Sequence, residues 1–164
     1  MSMTIYMAIT GKNQGDIKAK SETLSSSNEH PDRKDRTLVY EFNHTTASEI
    51  NSSTGIPEGS FSRLLSVTKA KDVTSPKLFQ LCCDREICTM ELFFFRTINA
   101  KDGVYYSYKL EDAYLYKIDS FTPMTFLEQN KPYKDMERLY FSYAKLTQRY
   151  TDGNIEYTET PQGK

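Results

Sequence analysis

"MELFFFRTINAKDGVYYSYKLEDAYLYKIDSFTP", residues 90–123, decides the fold. Aromatic and aliphatic side chains crowd both ends of it, and such side chains fit a pleated, half-buried surface better than a helix. Between them "NAKDG" (99–103) offers turn formers. The stretch therefore reads as a hairpin, strand 87–98 returning through strand 104–121.

Working outward, "ERLYFSYAKLTQRY" (137–150) reads as a further strand. Leu139, Phe141 and Tyr143 fall on one face, with Tyr140, Ala144 and Leu146 on the other. It runs through an Asp152-Gly153 turn into "NIEYTET", so a last hairpin closes the chain. Upstream of residue 87, "DVTSPKLFQLCCDRE" carries the one helix signal. Ser75 is placed to cap the first turn and Pro76 sits where a missing N–H does no harm. Leu78, Leu81 and Cys82 make a short apolar stripe, enough to pack on something larger but not to stand alone. The first seventy residues read as short strands, 4–9, weakly 17–24, 37–44 and 61–70. Leu38, Tyr40 and Phe42 share one face of the third. Polar loops cover 21–36 and 43–60, and loops this long are usually functional or disordered. Apolar groups on both faces of several strands predict a second cover, either the helix or another subunit. The expectation is a mainly β chain, residues 1–164 as one domain. It forms a two-sheet β-barrel with one short flanking α-helix and long loops, which removes most sheet edges.

The 164 residues carry a formal net charge of −1 and no Trp. Duplex DNA binding through phosphates needs a basic surplus, so nucleic acid is excluded as a partner. No run approaches the ~18–20 apolar residues that span a bilayer, and the N-terminus lacks a basic region, which predicts no membrane insertion and no secretory signal. Cytoplasmic synthesis follows. Cys82, Cys83 and Cys88 lack zinc spacing: Cys82 and Cys88 read as small buried hydrophobes and Cys83 as a surface thiol. His30 and His44 are the only bases near neutral pH, both assigned to polar loops. Glu111 and Asp112 are adjacent on a strand and point to opposite faces, so they cannot act as an acid–base pair. No P-loop, dinucleotide turn or HExxH motif occurs, and the expectation is no enzyme, no metal and no cofactor.

Three runs carry a resemblance: "DVTSPKLFQLCC", the hairpin "MELFFFRTINAKDGVYYSYKLEDAYLYKIDSFTP" with Lys109-Leu110-Glu111-Asp112-Ala113 at its centre, and "ERLYFSYAKLTQRYTDGN". Gly15-Asp16-Ile17-Lys18 adds an early element. In order and spacing the chain resembles the haemolysin-coregulated protein (Hcp) family, the inner-tube component of the type VI secretion system. It departs from the family at Gln148, where a Trp is common. The resemblance implies a β-barrel with a flanking helix that forms hexameric rings. The rings stack into a tube, surrounded by a contractile sheath and tipped by a spike, that is exported without a signal peptide and carries effectors in its lumen. It implies ring stacking through the loop holding Thr46, Ser48, Glu49, Asn51, Ser52 and Glu58. A barrel or subunit seam is expected at Tyr140, Tyr143, Leu146, Tyr150 and Ile155, and helix packing through Leu78, Leu81 and Cys82. The competing expectations are a monomeric β-barrel that binds a small ligand or carbohydrate, and a hydrolase with scattered residues.

Overall fold

The computed structural model describes residues 3–19, 33, 35–98 and 101–161, with the backbone alone at 98, 101 and 102. Its elements in chain order are β1 (Thr4–Gly11), β2 (Gly15–Ile17), β3 (Thr37–Val39), β4 (Glu41–His44), β5 (Glu49–Ile50), β6 (Pro57–Glu58), β7 (Leu64–Ala70), α1 (Ser75–Cys83), β8 (Cys88–Ile98), β9 (Lys101–Phe121), β10 (Met136–Ser142), β11 (Lys145–Tyr150) and β12 (Ile155–Glu159). Most of the expected 21–36 loop, and residues 20–24 of the expected second strand, lie outside the described residues.

The aromatic hairpin is the spine. β9 pairs with β8 along its first part, from Ile98↔Lys101 to Cys88↔Ala113, and with β10 along its second, from Ser142↔Tyr114 to Met136↔Phe121. These two parts belong to different sheets. The larger sheet runs from β2 and β3, both on β1, through β8 and β9 to β11 and β12. The smaller runs β9, β10, β7, β4. A strand that changes sheets must bend. β9 does so at Asp112, whose φ is 50°, where its register with β8 slips between Cys88 and Met90. An extra residue there is a bulge, which turns the strand without breaking it.

The same crossing corrects two expectations. Residues 137–150 are not one strand: the ladder stops at Tyr143–Ala144, so β10 joins the smaller sheet and β11 the larger. The break shifts the alternation, and Leu146 turns to the core beside Leu139, Phe141 and Tyr143, not to the opposite face. Likewise 37–44 divides at Tyr40: β3 pairs with β1 and β4 with β7. Val39 and Phe42 point inward across the bend, while Tyr40 is exposed. Among the described residues the hydrogen-bonded strand path runs β2-β1-β8-β9-β10-β7-β4, with β3 also on β1, an open path and not the closed circuit expected. Of the expected turn "NAKDG", Lys101–Gly103 already pair in β9 with Arg96–Ile98.

Between the sheets lie Met7, Ile9, Val39, Leu65, Val67, Leu92, Leu115, Leu139 and Phe141. α1 packs on β9 with Leu78 and Leu81 fully buried and Cys82 half-buried against the core, as its stripe predicts. Burying each of the two leucines is worth about 1.5–3 kcal/mol. The capping differs from expectation. Thr74 is the N-cap, and Asp72 Oδ1 accepts from its N–H at 2.9 Å; Ser75 is the first helical residue, and its Oγ accepts from Asp72 N at 3.0 Å. Ser75 also donates to the buried Glu137, which pairs with Lys69, whose side chain is fully buried. The helix ends in a Schellman motif, with Glu86 N donating to Leu81 O and Arg85 N to Cys82 O. Arg85 occupies the left-handed position, φ 51°, where glycine is usual.

Candidate functional site

The cross-strand register of the larger sheet builds a surface that the smaller sheet does not cover. Tyr106, Tyr150 and Ile155 stand in one row across β9, β11 and β12; Tyr108, Gln148 and Tyr157 form the next, and Leu110, Leu146 and Glu159 the third. Side chains along a strand alternate, so these three rows share one face. At Leu110 and Leu146 that face is buried core, but toward β12 it emerges, and Ile155 and Tyr157 are 68% and 76% exposed. The result is a cleft of about 470 Å³, floored by Tyr106, Leu146, Gln148 and Tyr150 and walled by Thr46, Phe61 and Ser62 from the chain leading into β7.

Several polar groups of the cleft are held by hydrogen bonds. Tyr106 Oη donates to Gln148 Oε1 at 2.6 Å, and Arg96 donates to Tyr150 Oη at 2.9 Å. Arg63 Nη2 bonds Glu159 Oε1 at 2.6 Å. His44 lies on the deep side, its Nε2 2.9 Å from Tyr143 Oη. It ends a strand, not a loop as expected, and burial lowers its pKa, so the ring is neutral at physiological pH. Burial, with Tyr106 and Tyr105 nearby, pushes the Tyr108 phenol up to about 12. Tyr143 is raised as well, by burial and by the Glu159 charge, against the opposing pull of Arg63. The floor is uncharged and aromatic. It can bury apolar surface; it does not present an activated nucleophile beside a free base.

Of the expected seam residues, Tyr143, Leu146, Tyr150 and Ile155 line this cleft. Tyr140 does not: it packs on the outer face against Tyr116, with Lys117 Nζ 4.8 Å from its ring centre. The sequence reading missed Phe61, Tyr106 and Tyr157, although the alternation in 104–108 and 155–159 places the last two. The expected ring-stacking residues occupy a different part of the molecule. β5 and β6 form their own two-stranded ribbon, pairing Glu49 with Glu58 and Ile50 with Pro57. Asn51 organises its tip, its Oδ1 accepting from Ser53 N at 2.9 Å and its Nδ2 donating to Glu58 Oε1 at 3.2 Å. Glu49, Ser52 and Glu58 are exposed there, and Thr46 and Ser48 lie on the approach, Thr46 also reaching the cleft wall.

Cys88 is buried and its thiol is pushed up to about 12 by burial, then by Glu86; Cys82 is raised by burial and by Cys83, which is exposed. Among the described residues no three His, Cys, Asp or Glu side chains converge to hold a metal ion, and no helix is long and apolar enough to cross a membrane. His30 lies outside the described residues.

A family model described as "Type VI secretion system effector, Hcp" matches residues 6–150. The chain belongs to the Hcp family. As an Hcp-family member it is a tube subunit of the type VI secretion system, a secreted protein of a structural rather than enzymatic family. Solved Hcp structures share the fold. A structure titled as Hcp protein superposes with a TM-score of 0.87 at 21% identity, covering 99% of this chain and 100% of that one. A variant of Hcp1 from Escherichia coli EAEC 042 gives 0.78 at 21% identity, over 97% and 99%. The secreted Hcp3 of Pseudomonas aeruginosa gives 0.73 at 23% identity, over 99% and 100%. No curated protein matches the sequence.

Proposed function

We propose that six copies of this chain, each acting as one domain, close into a ring. The rings stack into a tube that leaves the cytoplasm through the type VI apparatus without a signal peptide. A contractile sheath surrounds the tube, a spike tips it, and effector proteins ride in its lumen; the chain itself performs no catalysis and takes no cofactor. The observation that carries this reading beyond family membership is the pair of large apolar side chains, Ile155 and Tyr157, left exposed on β12 beside the half-buried Tyr150 of β11. A soluble protein rarely leaves such a face open unless another surface covers it. Ring closure needs a heterologous contact, and a seam at Tyr143, Leu146, Tyr150 and Ile155 supplies one half of it. Ring-to-ring contact is assigned to the β5–β6 ribbon through Thr46, Ser48, Glu49, Asn51, Ser52 and Glu58. Solution mass tests the ring: a complex of six 19.0 kDa chains supports it, with rings visible by negative stain, and a single-chain mass at high concentration overturns it.

The aromatic floor of the cleft favours one other reading, a monomer that binds a small ligand or carbohydrate there. That reading requires the single-chain mass together with saturable quenching of tyrosine fluorescence by a sugar or aromatic ligand.

A further inference from the structure

Side chains, not backbone, close the open side of the strand path. Among the described residues β4 pairs with β7 alone, so no ladder joins its other edge to the larger sheet. Phe42 and His44, two residues apart, share its inward face. Phe42 packs on Phe94 and Tyr108 with ring centres 5.3 and 5.0 Å apart, and His44 lies 5.8 Å from Tyr108 and 6.1 Å from Tyr143. The polar link of this junction joins His44 Nε2 to Tyr143 Oη at 2.9 Å. A neutral imidazole has one donor and one acceptor nitrogen, so it meets a phenol without any charge.

A protonated ring has no counter-charge here. β9 presents the phenol of Tyr108, the corner after β10 that of Tyr143, and β7 places Leu65 opposite. The charges near Tyr143 are Arg63, ahead of β7, and Glu159, on β12, and these already bond each other at 2.6 Å. On β4 itself Glu41 belongs to the outward face, where Asn43 and Arg138 donate to it. Burial therefore opposes the charged form and lowers the pKa of His44 from 6.5.

We propose that His44 is an acid-sensitive latch: its protonation releases the inward face of β4 from Tyr108 and Tyr143 and opens the deep side of the cleft, while the backbone ladders hold. The device belongs to the single chain and stands apart from the ring reading. Because the closed form binds the proton less tightly than the open one, closure is complete above 6.5 and is lost as pH falls through that value toward the folded one. Glu41 and Glu86 are held below 4.5, so both keep their charge across this window.

The test is an acid titration of the full chain, from about pH 7.5 to about 5, where histidine changes charge. The protein has 12 Tyr and no Trp, so near-ultraviolet circular dichroism reads the packing of tyrosines. The wild type is expected to lose part of that signal while its far-ultraviolet spectrum stays unchanged. His44→Gln, which still bonds Tyr143 but does not titrate, keeps the signal. With only two histidines in the chain, the ring resonance missing from His44→Gln assigns His44 by NMR, and in the wild type it titrates below 6.5. A flat wild-type signal, or the same loss in His44→Gln, overturns the latch. So does a His44 resonance that titrates at or above 6.5. Near- and far-ultraviolet signals that fall together mean unfolding of the whole chain, and they overturn it as well.

Discussion

Gly11 stands where the first strand passes the end of the helix. A methyl group there would meet Glu86 Oε1 at 2.8 Å and Leu81 Cδ1 at 3.2 Å. The carboxylate cannot retreat, because it accepts from the N–H groups of Asn13 and Gln14 and so ties the β1–β2 turn to the helix C-terminus. Gly11→Ala is expected to destabilise by about 1–3 kcal/mol, read from the urea midpoint. Glu86 itself makes stability depend on acid. Burial opposes its ionisation, but hydrogen bonds from Gln14 and Asn13 prevail and hold its carboxyl below the ordinary glutamate value of 4.5. A depressed folded-state pKa contributes stability above the unfolded value that is lost as pH falls through 4.5 toward the folded value. Glu86→Gln should therefore show a shallower loss of melting temperature below pH 5, roughly, than the parent; parallel acid curves would refute the role. Neither residue announces itself in the sequence. Gly11 looks like the start of a turn and Glu86 like a surface charge, since their meeting depends on the closure of the fold.

Elements were more legible than single contacts wherever one residue pattern dictates one environment. The stripe of Leu78, Leu81 and Cys82 gave the docked helix because only one face of so short a helix can be buried. Leu78→Ala should cost about 2–5 kcal/mol and Leu78→Asp should prevent accumulation of folded protein, both measurable by thermal melts. An unchanged melting temperature would mean that the helix is not docked through this residue. The paired ends of β10 and β11 were not legible, because the apolar pattern of 137–150 runs on without a Gly or Pro. The kink at Tyr143–Ala144 is imposed by the crossing between sheets. Helix anchoring at its N-terminal end was equally hidden: Lys69 lies wholly buried between Glu137, Asp72 and Ser75, and no local pattern marks a lysine for the core. Replacing Lys69 by Met strands Glu137 and should cost about 3–5 kcal/mol, and adding Glu137→Leu should recover most of it. Denaturant titration of the two variants settles the point.

At the scale of the molecule, the order of runs along 61–156 was enough to place the chain in its family, while the cleft was not visible. It needs the register of β9, β11 and β12 together, and a sequence fixes which residues alternate but not which strands become neighbours. Gln148 shows the difference. In the sequence it is a departure from a family Trp; in the fold it is the middle of the cleft floor, held by Tyr106. The ribbon prediction also belongs at this scale. Glu49→Lys with Glu58→Lys reverses the charge of the β5–β6 ribbon without touching the sandwiched core. It should leave rings intact and shorten or abolish stacked tubes in electron micrographs, and tubes of undiminished length would remove the ribbon from the stacking contact.

The pairing of Thr4 with Phe95, and of β9 with strands on either side of it in sequence, has a consequence for how the protein is made. No ladder of the larger sheet beyond β1–β2 and β1–β3 can form before residue 88 has left the ribosome, and the last cannot form before residue 159. Long-range pairing of this kind raises contact order, which places folding in the range of milliseconds to seconds rather than microseconds. For most of its synthesis the first strand waits with an open edge, so the nascent chain, more than the finished subunit, is the form in need of a chaperone.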